Sequence, residues 1–162
     1  MDKEYYGVTI TEINPKDTQQ AVKLAKGLTN NIREDDKKEI EDAGLKILPS
    51  VYDSIISSTT VYKAEQGDTL LCLFGVREEK ADAVIWALGT QELIKHKRTI
   101  VTAGIDFVKE CKQKYRWLYN FISLDNKRAL RFIRKAGAVL CSSTIINGNP
   151  FFKFLIKGDN HV

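Results

Sequence analysis

The sequence predicts an α/β (α+β) chain: a mixed, mostly antiparallel sheet flanked by helices on both faces. Three observations carry that prediction. Seven short segments read as strands and four longer ones repeat apolar residues at helical spacing. Their order is β-α-α-β-β-β-α-β-α-β-β, in which three consecutive strands imply an antiparallel meander and the later strand-helix-strand a right-handed parallel crossover. The chain has 162 residues, 43% hydrophobic and 28% charged, with three Pro and ten Gly, which fits a single domain over 1–162 with a sizeable core.

The elements follow in order. Val8 to Ile13 alternates apolar and polar residues and is stopped by Asn14-Pro15, a strand. Asp17 is a good N-cap for a helix carrying Ala21, Val22, Leu24, Ala25 and Leu28. Residues 33–42 are mostly charged and read as an exposed helix start or loop. Leu45, Leu48, Val51, Tyr52, Ile55 and Ile56 recur at helical spacing, with Pro49 marking a start or kink. From Val61 the period changes. Val61 to Ala64 is a strand and Gln66-Gly67-Asp68 its turn. Thr69 to Val76 is a continuous apolar run, as expected of a strand buried on both faces. Arg77 to Lys80 is a polar turn, and Ala83 to Leu88 another buried strand ending at Gly89-Thr90.

A loop over 91–97 precedes a helix from Arg98 to Lys114, whose predicted apolar stripe is Val101, Ile105, Val108 and Cys111, with Gly104 on a crowded face. Trp117 to Leu124 is a strand. Asp125 or Asn126 caps a short helix that turns Ala129, Leu130, Phe132, Ile133 and Ala136 inward and Lys127, Arg128, Arg131, Arg134 and Lys135 outward. Gly137 ends it. Ala138 to Ile146 and Phe151 to Ile156 form a hairpin about Asn147-Gly148-Asn149-Pro150.

Composition excludes several chemistries. Cys72, Cys111 and Cys141 are far apart in apolar contexts, as expected of buried thiols in a reducing compartment. With only His96 and His161, no spacing offers a four-ligand zinc site, and no Gly-x-Ser-x-Gly elbow accompanies a triad. No apolar run approaches the roughly 20 residues of a membrane span, and Met1 to Tyr6 lacks the apolar core of a signal peptide. A cytoplasmic protein that does not engage membrane is expected.

Charge is unevenly placed. Residues 95–135 hold twelve Lys or Arg against three acids, a net +9 within a chain of net +4, so the remainder is −5. A basic segment in an otherwise acidic chain implies a phosphate-bearing cofactor, nucleic acid or an acidic protein surface, unless it is only a solvated helix face. An acidic protein surface is the stronger macromolecular expectation. No reading helix or stacking platform for nucleic acid can be picked out, although the basic 95–135 segment leaves that partner open.

The segment Asn126-Lys127-Arg128-Ala129-Leu130-Arg131-Phe132, followed by Gly137-Ala138, together with the element order, resembles the GNAT superfamily of acyl-CoA-dependent N-acyltransferases. The resemblance implies a GNAT-like single domain, acetyl-CoA as cofactor, and acetyl transfer to an amine that attacks the thioester directly. It implies that the backbone of Leu88, Gly89 and Thr90 bonds the pantetheine arm. Lys95, Lys97, Arg98 and Thr99 would meet the phosphates, and Asn126 would contact pantetheine or cap its helix. The sequence departs from the family twice. Residues 91–99 contain no Gly where the family carries a Gly-rich phosphate loop, and Ile133 stands where a Tyr often protonates the thiolate. Ala83 to Leu88 offers no carboxylate base, and Glu92 lies just beyond it, so no catalytic residue is assigned. The C-terminal half, Trp117 to Asn120 through Asn126, Arg131 to Ile133 and Ala136 to Val139 to the final Phe-rich strand, is similar to GNAT-like virion-assembly and internal virion proteins of short-tailed bacteriophages. That likeness implies the alternative function: a phage-encoded assembly or protein-interaction protein, in host cytoplasm or virion, that has kept the fold and lost the chemistry.

Overall fold

In the computed structural model, which describes residues 3–159, the period-two segments form one eight-stranded sheet. Met1, Asp2 and His161 of the reading above lie outside the described residues. A three-residue strand, Lys3–Tyr5 (β1), precedes Val8–Ile13 (β2) and pairs with it through a turn at Tyr6 and Gly7, both at positive φ. The antiparallel run continues through Thr60–Gln66 (β3), Thr69–Glu79 (β4) and Asp82–Gly89 (β5). Trp117–Ser123 (β6) is parallel to β5, then Asn149–Lys157 (β8) and Val139–Ile146 (β7) return antiparallel. The sheet order is β1-β2-β3-β4-β5-β6-β8-β7, so β5 and β6 are adjacent and joined by a helix, as the crossover rule required.

Alternation along β3 and β4 divides the core in two. Val61 and Leu73 face one side, where helices Thr18–Asn30 (α1) and Ile47–Ile56 (α3) bury Ala21, Ala25, Leu28, Val51 and Ile55 against them. Tyr62 and Phe74 face the other, where Lys97–Lys114 (α4) and Lys127–Lys135 (α5) bury Ala103, Phe107, Val108, Leu130 and Ile133. Tyr62, Phe74 and Phe107 pack with ring centroids 4.9–5.7 Å apart, within the range favoured by aromatic pairs. Asp17 caps α1 by accepting from Gln20 N–H, and Pro49 lies in the first turn of α3, where its missing N–H costs nothing.

Several expectations need correction. The charged run 33–42 is neither loop nor exposed start: Glu34–Asp42 is a helix of its own (α2), and Asp36 is buried. β4 runs on to Glu79, so the polar stretch 77–79 is strand and the turn is Lys80–Ala81. β5 alternates rather than being buried on both faces. The buried stripe of α4 is Ala103, Phe107, Val108 and Cys111, while Val101 and Ile105 are half-buried, because the helix presents the face that meets Phe74 and Tyr62. The β7–β8 turn is only Asn147-Gly148, both at positive φ, the two-residue form whose twist matches its strands. Cys141 is exposed on β7, where its thiol donates to the Lys153 carbonyl.

Candidate functional site

β5 and β6 share only two register pairs, Ala83 with Leu118 and Val84 with Tyr119, and then diverge toward their C-terminal ends. Asn120 spans the first step of the gap by donating from Nδ2 to the Ile85 carbonyl at 2.8 Å. Past that point each strand presents backbone groups that no neighbouring strand satisfies, and buried orphans of this kind must find partners. The wedge between β5 and β6 is where the resemblance places the cofactor arm.

Residues 31–39 supply those partners. Arg33 N–H donates to the Gly89 carbonyl at 2.9 Å, and Gln91 N–H donates to the Asn31 carbonyl at 2.9 Å. Ile32 and Thr90 form an antiparallel bridge between them. The segment thus runs along the end of β5 as a short added strand. α2 then begins at Glu34, with three acids in its first turn favourably placed for the helix dipole. It delivers Asp36 Oδ2 to Gly89 N–H at 2.8 Å and Glu39 Oε1 to Ser123 N–H at 3.1 Å. One helix therefore ties the ends of both diverging strands with two carboxylates.

The rest of the wedge is built around those carboxylates. Arg33 donates to Asp36 Oδ1 at 2.9 Å in a largely buried ion pair. Asn126 donates from Nδ2 to Glu39 Oε2 at 2.6 Å and to Asp36 Oδ1 at 3.3 Å, while its Oδ1 accepts from Ala129 N–H and caps α5. Burial raises the Glu39 carboxyl above its ordinary pKa, partly offset by the hydrogen bonds from Asn126 and Ser123, which favour the ionised form. Arg33 Nε is buried without a hydrogen-bond partner among the described residues.

The sequence-derived site residues fall in three places. Gly89 and Thr90 are buried in the wedge: Thr90 N–H donates to the Leu71 carbonyl, and its hydroxyl donates to the Leu70 carbonyl. Leu88 packs on the α1–α3 side. Residues 91–96 form a 3₁₀ helix, not a loop, and Leu93 lies over Gly89 so closely that an added Cβ there would meet its Cδ1 at 2.8 Å. Lys95 pairs with Glu92 at 3.0 Å. Lys97 and Arg98 are exposed and Thr99 is half-buried at the start of α4. Asn126 sits with the α2 carboxylates, away from that basic group in its bonding.

Pantetheine would need the free N–H and C=O groups of the β5 end. Those of Gly89 are taken by Asp36 and Arg33, and Leu93 covers the glycine. In this arrangement the backbone groups of Gly89 are therefore not free to bond an acyl-CoA thioester. Arg33, Asp36 and Glu39 escaped the sequence reading because apolar periodicity counts no acids. The available signal was that Asp36, Glu39 and Ile40 recur at i, i+3 and i+4 on one helix face.

No family model matches the sequence, and no curated protein matches it significantly. Solved structures do resemble the fold. An aminoglycoside N(6′)-acetyltransferase from Legionella pneumophila superposes with a TM-score of 0.66 at 12% identity, covering 96% of this chain and 94% of that one. A GNAT-family acetyltransferase from Bacillus anthracis gives 0.65 at 12% identity, covering 98% and 99%. A chimera of the Vibrio cholerae spermidine N-acetyltransferase gives 0.61 at 17% identity, covering 94% and 96%. This chain has the fold of the GNAT acetyltransferases.

Proposed function

We propose that this chain is a GNAT-fold binding protein that does not use acyl-CoA and that holds an acidic protein partner on the basic face of α5. The observation that carries the reading is the occupation of the β5 end by residues 31–39, with Asp36 and Glu39 bonded to the N–H groups of Gly89 and Ser123. The absence of Gly from 91–99 and the Ile at 133 point the same way. The basic face supplies the means of binding. Lys127, Arg128, Arg131, Arg134 and Lys135 are all exposed, and among the described residues none has an ion-pair partner.

The competing reading is an acyl-CoA-dependent N-acyltransferase with α2 swung out of the wedge, and the divergence of β5 and β6 favours it. Calorimetric titration with acetyl-CoA separates the two. The binding-protein reading expects no heat beyond dilution up to millimolar ligand. A saturable isotherm overturns it and restores the enzyme.

A further inference from the structure

The two edges of the sheet are treated differently. β1 is three residues long and carries Lys3 and Glu4, features that blunt an edge against pairing. β7, at the opposite edge, runs eight residues, Val-Leu-Cys-Ser-Ser-Thr-Ile-Ile, with no charge and no proline. Its single irregularity is a bulge between Leu140 and Ser142, which leaves Ser142 to Ile146 in regular register with β8. Val139 and Ile145 are 66% and 68% exposed, more than any other large aliphatic side chain described. Such an edge presents unpaired backbone donors and acceptors to any extended chain that reaches it.

The surroundings of that edge select the chain. α5 feeds directly into β7 through Gly137, with Gly137 N–H bonded to the Arg134 carbonyl and Ala138 N–H to the Ile133 carbonyl. The last turn of the basic helix therefore abuts the first residues of the strand. Leu140 packs into the cluster that holds Leu130 and Ile133, so this face of β7 is the α5 face. Val139, its neighbour in sequence, points to the other face. Lys127, Arg131 and Arg134 line a shallow recess over Leu130. A second copy of this chain offers that edge another basic segment in place of complementary charge. An acidic chain meets complementary charge.

From this juxtaposition we infer that β7 is a strand-addition site for an extended, acidic segment of a partner protein. The segment pairs its backbone with the regular stretch Ser142–Ile146 and sets acidic side chains toward α5. This deepens the binding-protein reading and rests on it. Main-chain bonds supply the register, and charge supplies selection and salt dependence.

The test uses the full chain and a fluorescein-labelled eight-residue peptide alternating Glu and Val. A control peptide has the same charge but two Val replaced by Pro, which cannot pair as a strand. The alternating peptide is expected to bind with affinity that falls as salt rises, and to slow amide hydrogen exchange within 139–146. The Pro peptide is expected to bind at least about tenfold more weakly, having lost its ladder bonds. The double substitution Arg131→Glu, Arg134→Glu should melt with the wild type and lose at least about tenfold in affinity, since only exposed charge has changed. Equal binding of the two peptides, or unchanged exchange over 139–146, removes strand addition while leaving the basic face standing. Binding that ignores the charge reversal removes the basic face as well. A dimer of the free protein that is lost in Val139→Lys gives the edge to a second copy and overturns the proposal.

Discussion

Glu39 shows what a half-buried carboxylate does to this fold. Its ordinary pKa is 4.5 and burial raises it, so the folded state holds the proton more tightly than the unfolded chain. The sign follows: Glu39 favours folding fully below its unfolded pKa, and that contribution is lost as pH rises through the raised folded value. Glu39→Gln imitates the protonated side chain at every pH. The variant should therefore melt no lower than wild type at pH 7, and the two should converge near pH 4. A variant that melts lower at pH 7 means that the hydrogen bonds from Ser123 and Asn126 outweigh desolvation. Phe132 is a second test at this scale. Its ring lies against Gly104, where an added Cβ would meet Cζ at 2.7 Å. Gly104→Ala gains helix propensity worth up to about 1 kcal/mol but overpacks this contact, which typically costs about 1–3 kcal/mol. A net loss of stability in chemical denaturation is expected, and the same Gly104→Ala change should cost less when made in a Phe132→Leu background, whose smaller side chain clears the clash.

At the scale of elements, strands and helices that bury apolar residues were legible, and elements that bury polar ones were not. β4 announced itself because both its faces are apolar, and the α5–β7 junction because Gly137 provides the positive φ that ends the helix. α2 did not, since its inward side is made of buried Asp36 and half-buried Glu39 and Ile40, and charge patterns read as solvent-facing. Its partners lie in β5 and at the start of α5, some 53 and 90 residues away, a pairing that local pattern cannot encode. The same blindness applies to the candidate site. Gly89, Thr90 and Asn126 were singled out, but the residues that engage Gly89 and Asn126 were not. The importance of α2 to its surroundings is measurable. Asp36→Ala leaves Gly89 N–H and Arg33 without their shared acceptor in a buried site, and loss of one partner of a buried ion pair costs about 3–5 kcal/mol. Urea unfolding should show a loss of that order, whereas Asp35→Ala, one position along on the same helix, should fall within about 0.5 kcal/mol of wild type because it has no such bonds.

For the molecule as a whole, the wedge is where the two faces of the sheet communicate. α1 and α3 pack on one face and α4 and α5 on the other, and α2 reaches from the first layer to Asn126 at the start of α5. Its carboxylates are the link, so removing both should loosen the strand ends without dissolving the sheet. In the double variant Asp36→Ala, Glu39→Ala, the amides of Gly89 and Ser123 lose their acceptors, and their hydrogen exchange should accelerate. Amides of Leu71 to Val76, in the fully buried centre of β4, should stay protected, since they belong to the most stable part of the fold. That variant also tests whether α2 closes the wedge to acyl-CoA, as the binding-protein reading has it. If α2 alone does so, opening it should create acetyl-CoA binding. The chain predicts otherwise. Leu93 still covers Gly89, residues 91–96 still form a 3₁₀ helix without a glycine to bring backbone N–H groups around a pyrophosphate, and Lys95 remains paired with Glu92. The double variant should thus show faster exchange at Gly89 and Ser123 and still no calorimetric signal with acetyl-CoA. Saturable binding in the variant alone would mean that α2 is a latch over a working cofactor site, and the binding-protein reading would give way to a regulated acyltransferase.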